Sequence, residues 1–287
     1  MVDLYPTRVS DESSLIKRVE PVIHGDSFYL TEFQNSSYDT NGYLVIRDFF
    51  MKEELQRVMS ASDKLFFDPP DNAILEPDSE TVRSVFCVHE EKDFSCLLQN
   101  EALRGISTEI LGSDDYIHQS RINYKAGLGS TGWRWHSDFE TWHAEDGMPT
   151  MRCFTAMIPL TDNIESNGPL MIIPGSHKTF LSCVGGTPEN NYAQHLQDQK
   201  VGLPTADDLN NFIVNSGGRV DSLTCRAGDL VLFDSNCMHG SNANITPYNR
   251  TNLFYVFNSV ENVLLAPYCG RPHRPKYVAS QHGQPSH

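Results

Sequence analysis

Trp133-Arg-Trp-His-Ser-Asp-Phe-Glu-Thr-Trp-His-Ala-Glu-Asp-Gly-Met-Pro149 is the segment on which the reading of this chain turns. It holds a His-x-Asp pair, His136 and Asp138. Far downstream, Phe233-Asp-Ser-Asn-Cys-Met-His-Gly-Ser-Asn242 supplies His239. Residues i and i+2 of a β-strand share a face, so on a strand over 133–138 His136 and Asp138 can bind one ion together. His239 follows the buried-looking strand Gly228-Asp-Leu-Val-Leu-Phe233, which can aim a third ligand inward. Two imidazoles and one carboxylate around an ion, with positions left open, is the donor set of non-haem Fe(II) oxygenases. Alone, a His-x-Asp pair is commonly a hydrogen-bonded surface pair; the third histidine and its strand give it weight. The rival pair in the same segment is His143 and Asp146, whose spacing suits a helix. Glu145-Asp-Gly-Met-Pro149 reads as turn, which makes His143 a packing or hydrogen-bonding residue and Asp146 a turn residue.

Outward from this segment, the chain is helical first and β-rich later. A helix over Thr31–Asn41 ends at Gly42, a strand follows over Gly42–Phe50, and a helix over Lys52–Leu65 carries Leu55, Val58 and Met59 near helical spacing. Residues 66–80 read as loop, Ser84–Val88 as strand and Glu101–Leu111 as helix. From Tyr116 the pattern changes to short strands punctuated by Gly, Pro, Asn and Asp: Tyr116–Tyr124, Trp133–Asp138, Arg152–Leu160, Leu170–Ile173, Leu230–Phe233 and Asn252–Val260. That density of strands predicts a mainly β jelly roll with supporting helices. The expected organisation is one domain over 1–287: a helical support over about 1–115, a core over about 116–262 and a poorly ordered tail over 270–287. A polar excursion over Phe180–Gly218 carries a helix near Ala206–Val214.

Composition narrows the function classes. The formal charge of −15 argues against nucleic acid and anionic membranes as partners. No apolar run is long enough to span a bilayer, and the first residues lack a secretory signal, so the expected location is the cytoplasm. The seven cysteines are scattered and show no Cys-x-x-Cys, which favours reduced thiols over a disulfide framework or a zinc ribbon.

Arg250 opens the strand Thr251-Asn-Leu-Phe-Tyr-Val-Phe257. Its guanidinium is a bidentate, non-titrating partner for a carboxylate, such as the far carboxylate of a keto diacid that chelates iron. Among the aromatics, Trp135 reads as pure core. Trp142 and Phe254 suit a substrate pocket, where π faces would hold a compact cationic ring.

The His-x-Asp…His…Arg order, the segment Asn167-Gly-Pro-Leu-Met-Ile-Ile-Pro-Gly-Ser-His177 and Gly42-Tyr-Leu-Val-Ile46 resemble the phytanoyl-CoA dioxygenase superfamily. Within it, Trp135-His-Ser-Asp-Phe-Glu-Thr-Trp-His143 with Glu145-Asp-Gly-Met-Pro149 is similar to the ectoine hydroxylases. Asp3-Leu-Tyr-Pro6, Tyr116-Ile-His-Gln-Ser-Arg121 and His239-Gly-Ser-Asn-Ala-Asn-Ile-Thr-Pro247 add to the likeness. The resemblance implies a double-stranded β-helix (jelly roll, cupin-like), an Fe(II) cofactor and 2-oxoglutarate and O2 as co-substrates. It also implies a cytoplasmic homodimer that makes a hydroxylated compatible solute. Carried over by position, the iron ligands are His136, Asp138 and His239, and the 2-oxoglutarate contacts are Arg121, Asn123, Ser241 and Arg250. The substrate contacts are Gln119, Trp142 and Phe254, with Trp133, Thr155 and Phe233 nearby. Two positions depart from the family: Trp133 where Phe is usual, and Met157 where a small or polar residue is usual. Both bear on which small zwitterion is the substrate. The alternatives are the same chemistry on another solute or amino acid such as proline, a zinc cupin acting as hydrolase or isomerase, and a non-catalytic binding protein.

Overall fold

The computed structural model describes residues 2–281. The N-terminal third holds β1 (Leu15–Lys17), α1 (Glu32–Asn41), β2 (Tyr43–Ile46), α2 (Lys52–Phe67), β3 (Ile74–Leu75), β4 (Val82–Phe86), α3 (Lys92–Ser95) and α4 (Glu101–Leu111). Local chemistry sets the ends of α1: Thr31 and Gln34 form a capping box, and Gly42 at φ 78° closes the helix in the left-handed region. The strand after it is shorter than its apolar run, because Asp48 turns at φ 52° and Asp229 holds Arg47. Next come β5 (Asp115–Lys125), β6 (Trp133–His136), α5 (Asp138–Asp146), β7 (Cys153–Pro159), β8 (Leu170–Ile172) and β9 (Thr179–Leu181). The polar excursion carries α6 (Asn191–His195) and α7 (Ala206–Asn215). It leads to β10 (Asp221–Leu223), β11 (Leu230–Asp234), β12 (His239–Ser241) and β13 (Arg250–Ser259).

The strands form a double-stranded β-helix. A seven-stranded antiparallel sheet, ordered β2-β11-β7-β13-β5-β4-β3, packs against a four-stranded sheet, ordered β10-β8-β12-β6. Strand alternation separates two apolar layers. From β7, Phe154, Ala156 and Ile158 face outward onto Leu55 and Val58 of α2 and Leu103, Ile106 and Ile110 of α4. Met157, between them, faces inward with Val231, Phe233 and Phe254, against Leu170 and Ile172 of the smaller sheet. A sheet covered on both faces needs strands that are apolar throughout, which is why β7 and β11 read as continuous runs. Each such side chain contributes about 1.5–3 kcal/mol of burial free energy.

Several sequence expectations are corrected here. The strand over Trp133–Asp138 stops at His136; Ser137 takes an extended conformation and Asp138 opens α5. Asp146 is not a turn residue but the last residue of that helix, and it is buried. Trp135 is only partly buried, packed beside the cluster of Ile173, Leu181, Phe212 and Met238. The expected loop over 66–80 contains the end of α2 and the short β3. The expected tail over 270–287 is ordered as far as it is described: Arg274, Val278 and Ala279 are buried, while 282–287 lie outside the described residues. What holds this strap is non-local. Arg274 donates to both oxygens of Asp146 at 2.7 and 2.6 Å, and the Gln119 amide donates to the Val278 carbonyl at 2.8 Å.

Candidate active site

His136 and His239 are direct cross-strand partners between β6 and β12, and this register sets their rings 4.3 Å apart. Each Nδ1 lies beside the carbonyl two residues earlier in the chain, His136 on Arg134 at 2.6 Å and His239 on Cys237 at 3.0 Å. Donation of Nδ1–H to those carbonyls leaves both Nε2 lone pairs free, the arrangement of metal-binding histidines. Asp138 meets them from the first turn of α5, with carboxylate oxygens 3.6 Å from His136 Nε2 and 3.9 Å from His239 Nε2. The ligand atoms of the three residues all lie within 4.8 Å of one another.

Burial opposes ionisation of Asp138, yet the Arg121 guanidinium and the two imidazoles hold its carboxyl well below the usual range. Burial, with His136 beside it, pushes His239 down to about 4, so this imidazole is neutral and able to ligate. One oxygen of Asp138, Oδ2, is buried and lacks a hydrogen-bond partner among the described residues. A buried carboxylate oxygen facing two free imidazole nitrogens is a fit for a divalent cation. Fe(II) is the resident metal these residues would hold.

The cavity around this group has a volume of roughly 540 Å³. Its long wall is β5, where alternation puts Gln119, Arg121, Asn123 and Lys125 on one face; the first three line the cavity, and Lys125 lies behind Ser241. From Gln119 to Lys125 is about 20 Å along an extended strand. Arg121 stands in the middle, 3.7 Å from Asp138 and stacked over Phe254 at 4.8 Å, with a further bond to Gln119. The metal group therefore sits midway along the cavity wall, with a different chemistry at each end.

The Lys125 end is cationic. Arg250 and Lys125 are directly opposed partners of β13 and β5. Like charges in opposed positions destabilise a sheet. Both are buried, and among the described residues neither forms an ion pair with a carboxylate. Burial, and then Arg83, lowers Arg250 to about 9; burial, and then Arg250 and Arg83, lowers Lys125 to about 6. Arg250 donates to the Gly168 carbonyl at 2.9 Å, but its Nε has no partner among the described residues. Lys125 donates to Ser241 Oγ at 2.9 Å and to the Asn242 carbonyl. Trp133 lies among these cations, its ring 3.8 Å from Arg83, 5.0 Å from Lys125 and 5.8 Å from Arg250. Arg83 is paired with the buried Glu76 at 3.0 Å, but Arg250 has no carboxylate partner among the described residues, and a ligand carboxylate fits it.

The Gln119 end is amide and aromatic. Gln119, Trp142 and Arg274 line it, and the edge of Trp142 meets the His118 ring at 5.5 Å. Of the residues singled out by sequence, His136, Asp138, His239, Arg121, Asn123, Ser241, Arg250, Gln119, Trp133, Trp142 and Phe254 line this one cavity. Phe233 and Thr155 do not. Phe233 packs behind His239 at 5.1 Å, and Thr155 is fully buried beside Phe233 in the register of β7 and β11. His143 is a packing residue: it bonds the Met148 carbonyl and Asp3 and stacks on Tyr268 at 4.1 Å. Sequence reasoning missed Arg83, Lys125 and Arg274. Lys125 was legible as the next member of the 119, 121, 123 alternation; Arg83 and Arg274 carried no local signal.

A double-stranded β-helix that joins two imidazoles and a carboxylate in a cavity with an unpaired buried arginine defines a non-haem Fe(II) and 2-oxoglutarate-dependent oxygenase. Residues 38–252 match the phytanoyl-CoA dioxygenase (PhyH) family, and the chain belongs to that family. The ectoine dioxygenase of Stutzerimonas stutzeri is 43% identical, with 97% of this chain and 94% of that protein covered. The ectoine dioxygenase of Streptomyces avermitilis is 44% identical, over 98% of this chain and 97% of that one. Among solved structures, EctD from S. alaskensis with 2-oxoglutarate and 5-hydroxyectoine matches with a TM-score of 0.87 and 36% identity, covering 99% and 96% of the two chains. The 2-oxoglutarate-dependent carbocyclase SnoK shares the fold, with a TM-score of 0.63 at 19% identity.

Proposed function

We propose that the protein hydroxylates ectoine to 5-hydroxyectoine, consuming 2-oxoglutarate and O2 and releasing succinate and CO2. The observation that carries this reading is the division of one cavity into an anion-seeking end at Arg250, a metal-binding group at its middle and an aromatic end at Trp142. His136, Asp138 and His239 would hold Fe(II), which would supply the redox chemistry that links oxidative decarboxylation of 2-oxoglutarate to transfer of one oxygen atom to the substrate.

The chain's own residues supply position and exclude water. Arg250 takes the far carboxylate of 2-oxoglutarate, with Ser241 and Asn123 as polar neighbours and Lys125 orienting the Ser241 hydroxyl from behind. Arg121 braces Asp138 and keeps its carboxylate ionised. Gln119 offers its carbonyl oxygen or amide to the substrate's polar edge, while the faces of Trp142 and Phe254 hold a cationic ring. The strap through Arg274 and Val278 closes this end against solvent, which strengthens every charge interaction inside.

The positions where the chain departs from its family lie away from the substrate end, which favours ectoine over another solute. Met157 accepts a bond from Asn252 inside the barrel, and Trp133 belongs to the cationic end. Among the described residues no helix is long and apolar enough to cross a membrane. The family likeness and the free cysteines support a cytoplasmic homodimer acting as a single catalytic domain, and sedimentation of the purified protein tests the dimer.

The deciding experiment is succinate release and product mass with Fe(II), 2-oxoglutarate and ectoine, beside the His136→Ala variant. The expected result is a gain of one oxygen on ectoine, abolished in the variant. Succinate without hydroxylated ectoine would transfer the reading to another small substrate, and no succinate with any solute would overturn it.

A further inference from the structure

Away from the iron site, the described residues bring together one other group of metal-ligating side chains. Cys87, His89 and Glu90 occupy a single short turn, and their ligand atoms all lie within 4.8 Å of one another. The turn begins where β4 ends: Cys87 takes the left-handed conformation (φ 61°, ψ 26°), rare for a residue with a Cβ, and the chain then winds once through Val88–Glu90. His89 is oriented by Ser120, whose Oγ lies 2.7 Å from its Nδ1 and accepts its backbone N–H at 2.9 Å. Donation of Nδ1–H to that hydroxyl leaves Nε2 as the ligand atom, as in metal-binding histidines generally.

A second observation points into the same place. The turn forms one wall of a cleft of roughly 220 Å³ whose other walls are β5 and the C-terminal strap, including His118 and Lys276. His118 is the extra residue of a β-bulge, since Ile117 pairs with Phe257 and Gln119 with Val256. It is 1% exposed, its Nε2 bonds Asp146 at 3.0 Å, and among the described residues its Nδ1 has no partner. With Nε2–H given to Asp146, Nδ1 is a buried acceptor on the cleft wall with nothing to accept from.

We propose that Cys87, His89 and Glu90 form a second metal site, for a zinc-class ion, independent of the iron centre. One thiolate, one imidazole and one carboxylate make a borderline-soft donor set that suits tetrahedral Zn2+ and not Mg2+ or Ca2+. A water completes the tetrahedron and donates to His118 Nδ1, which stands outside the group of direct ligands. The Cys87 thiol proton is released to solvent as the sulfur binds. The ion would brace the turn, through Ser120 and His118, against the strap that holds Gln119 at the cavity wall. This inference does not depend on the identity of the hydroxylated substrate.

Co2+ titration of metal-free protein tests it, because a cysteine ligand gives a near-ultraviolet thiolate-to-cobalt charge-transfer band that a His-Asp-His site cannot. The band is expected in the wild type and in His136→Ala, and Zn2+ is expected to abolish it by competition. Cys87→Ser should lose the band while keeping the metal equivalent held by His136, Asp138 and His239. Glu90→Gln, an exposed change that leaves the core untouched, should weaken Co2+ binding at this site at least tenfold. No band in the wild type, a band that persists in Cys87→Ser, or a His136→Ala protein that binds no metal would each overturn the proposal.

Discussion

Replacing Asp146 by Asn should unlatch the C-terminal strap. In the folded protein Asp146 is buried, accepts two bonds from the Arg274 guanidinium and lies 3.0 Å from His118 Nε2. Burial works against its ionised form, but Arg274 and then His118 outweigh it and hold the carboxyl near about 2, against a usual 3.8. That difference is worth roughly 2 to 3 kcal/mol of stability at neutral pH. Because the folded value is the lower one, this contribution is complete above pH 3.8 and is lost as pH falls through about 2. Asp146→Asn removes it and strands Arg274 as a buried, uncompensated cation, for which losses of about 3–5 kcal/mol are usual. The expected loss is therefore about 3–5 kcal/mol in urea unfolding, with faster amide exchange over residues 270–281 and a higher KM for the substrate. Arg274→Met in the same chain should recover part of the loss, with a coupling of at least about 1.5 kcal/mol in the double-mutant cycle. An Asp146→Asn protein within about 0.5 kcal/mol of wild type, with unchanged exchange in the strap, would refute the latch.

Lys125 gives a pH dependence of the same sign in a higher window: its folded value of about 6 lies below its usual 10.5, so the unfolded chain binds the extra proton between those limits. Stability should rise with pH from 6 towards 10.5, at up to about 1.4 kcal/mol per unit, and Lys125→Met should flatten that slope in urea unfolding at pH 7 and pH 9. Arg250→Ala should weaken 2-oxoglutarate binding by about 2–3 kcal/mol, the value of a charge-assisted pair, without loss of fold; calorimetric titration checks it, and unchanged affinity would move the anion site elsewhere. Trp133→Phe should raise the KM for 2-oxoglutarate severalfold through the loss of about 0.5–1 kcal/mol per cation–π contact, leaving the KM for ectoine unchanged. Arg8→Met should destabilise by about 3–5 kcal/mol in thermal or urea unfolding, since it strips the buried carboxylates of Glu140 and Glu145, bonded at 2.7 and 2.6 Å, of their cation.

What the sequence determined by itself is what short-range rules decide. Thr31 with Gln34 and Gly42 delimits α1 through capping, and Asn100 starts α4 by accepting from the Leu103 amide. Apolar runs such as Leu230–Phe233 announce strands covered on both faces, and from strands at that density a jelly roll follows. The metal residues were legible because their types and order are chemically restrictive. The reason first given for them holds only in part: Asp138 meets His136 from a helix start, since the strand breaks at Ser137. Tertiary structure decided the rest. The register of β5 against β13 sets Lys125 opposite Arg250, and nothing local in either strand signals that two basic side chains will be buried together at one end of the cavity. Asp146 reads as a turn residue because its partners, Arg274 and His118, stand far away in sequence, and only their burial together makes it a latch. Local propensity is decided within a few residues along the chain, whereas charge compensation in a low-dielectric interior depends on whatever the fold brings within hydrogen-bond reach.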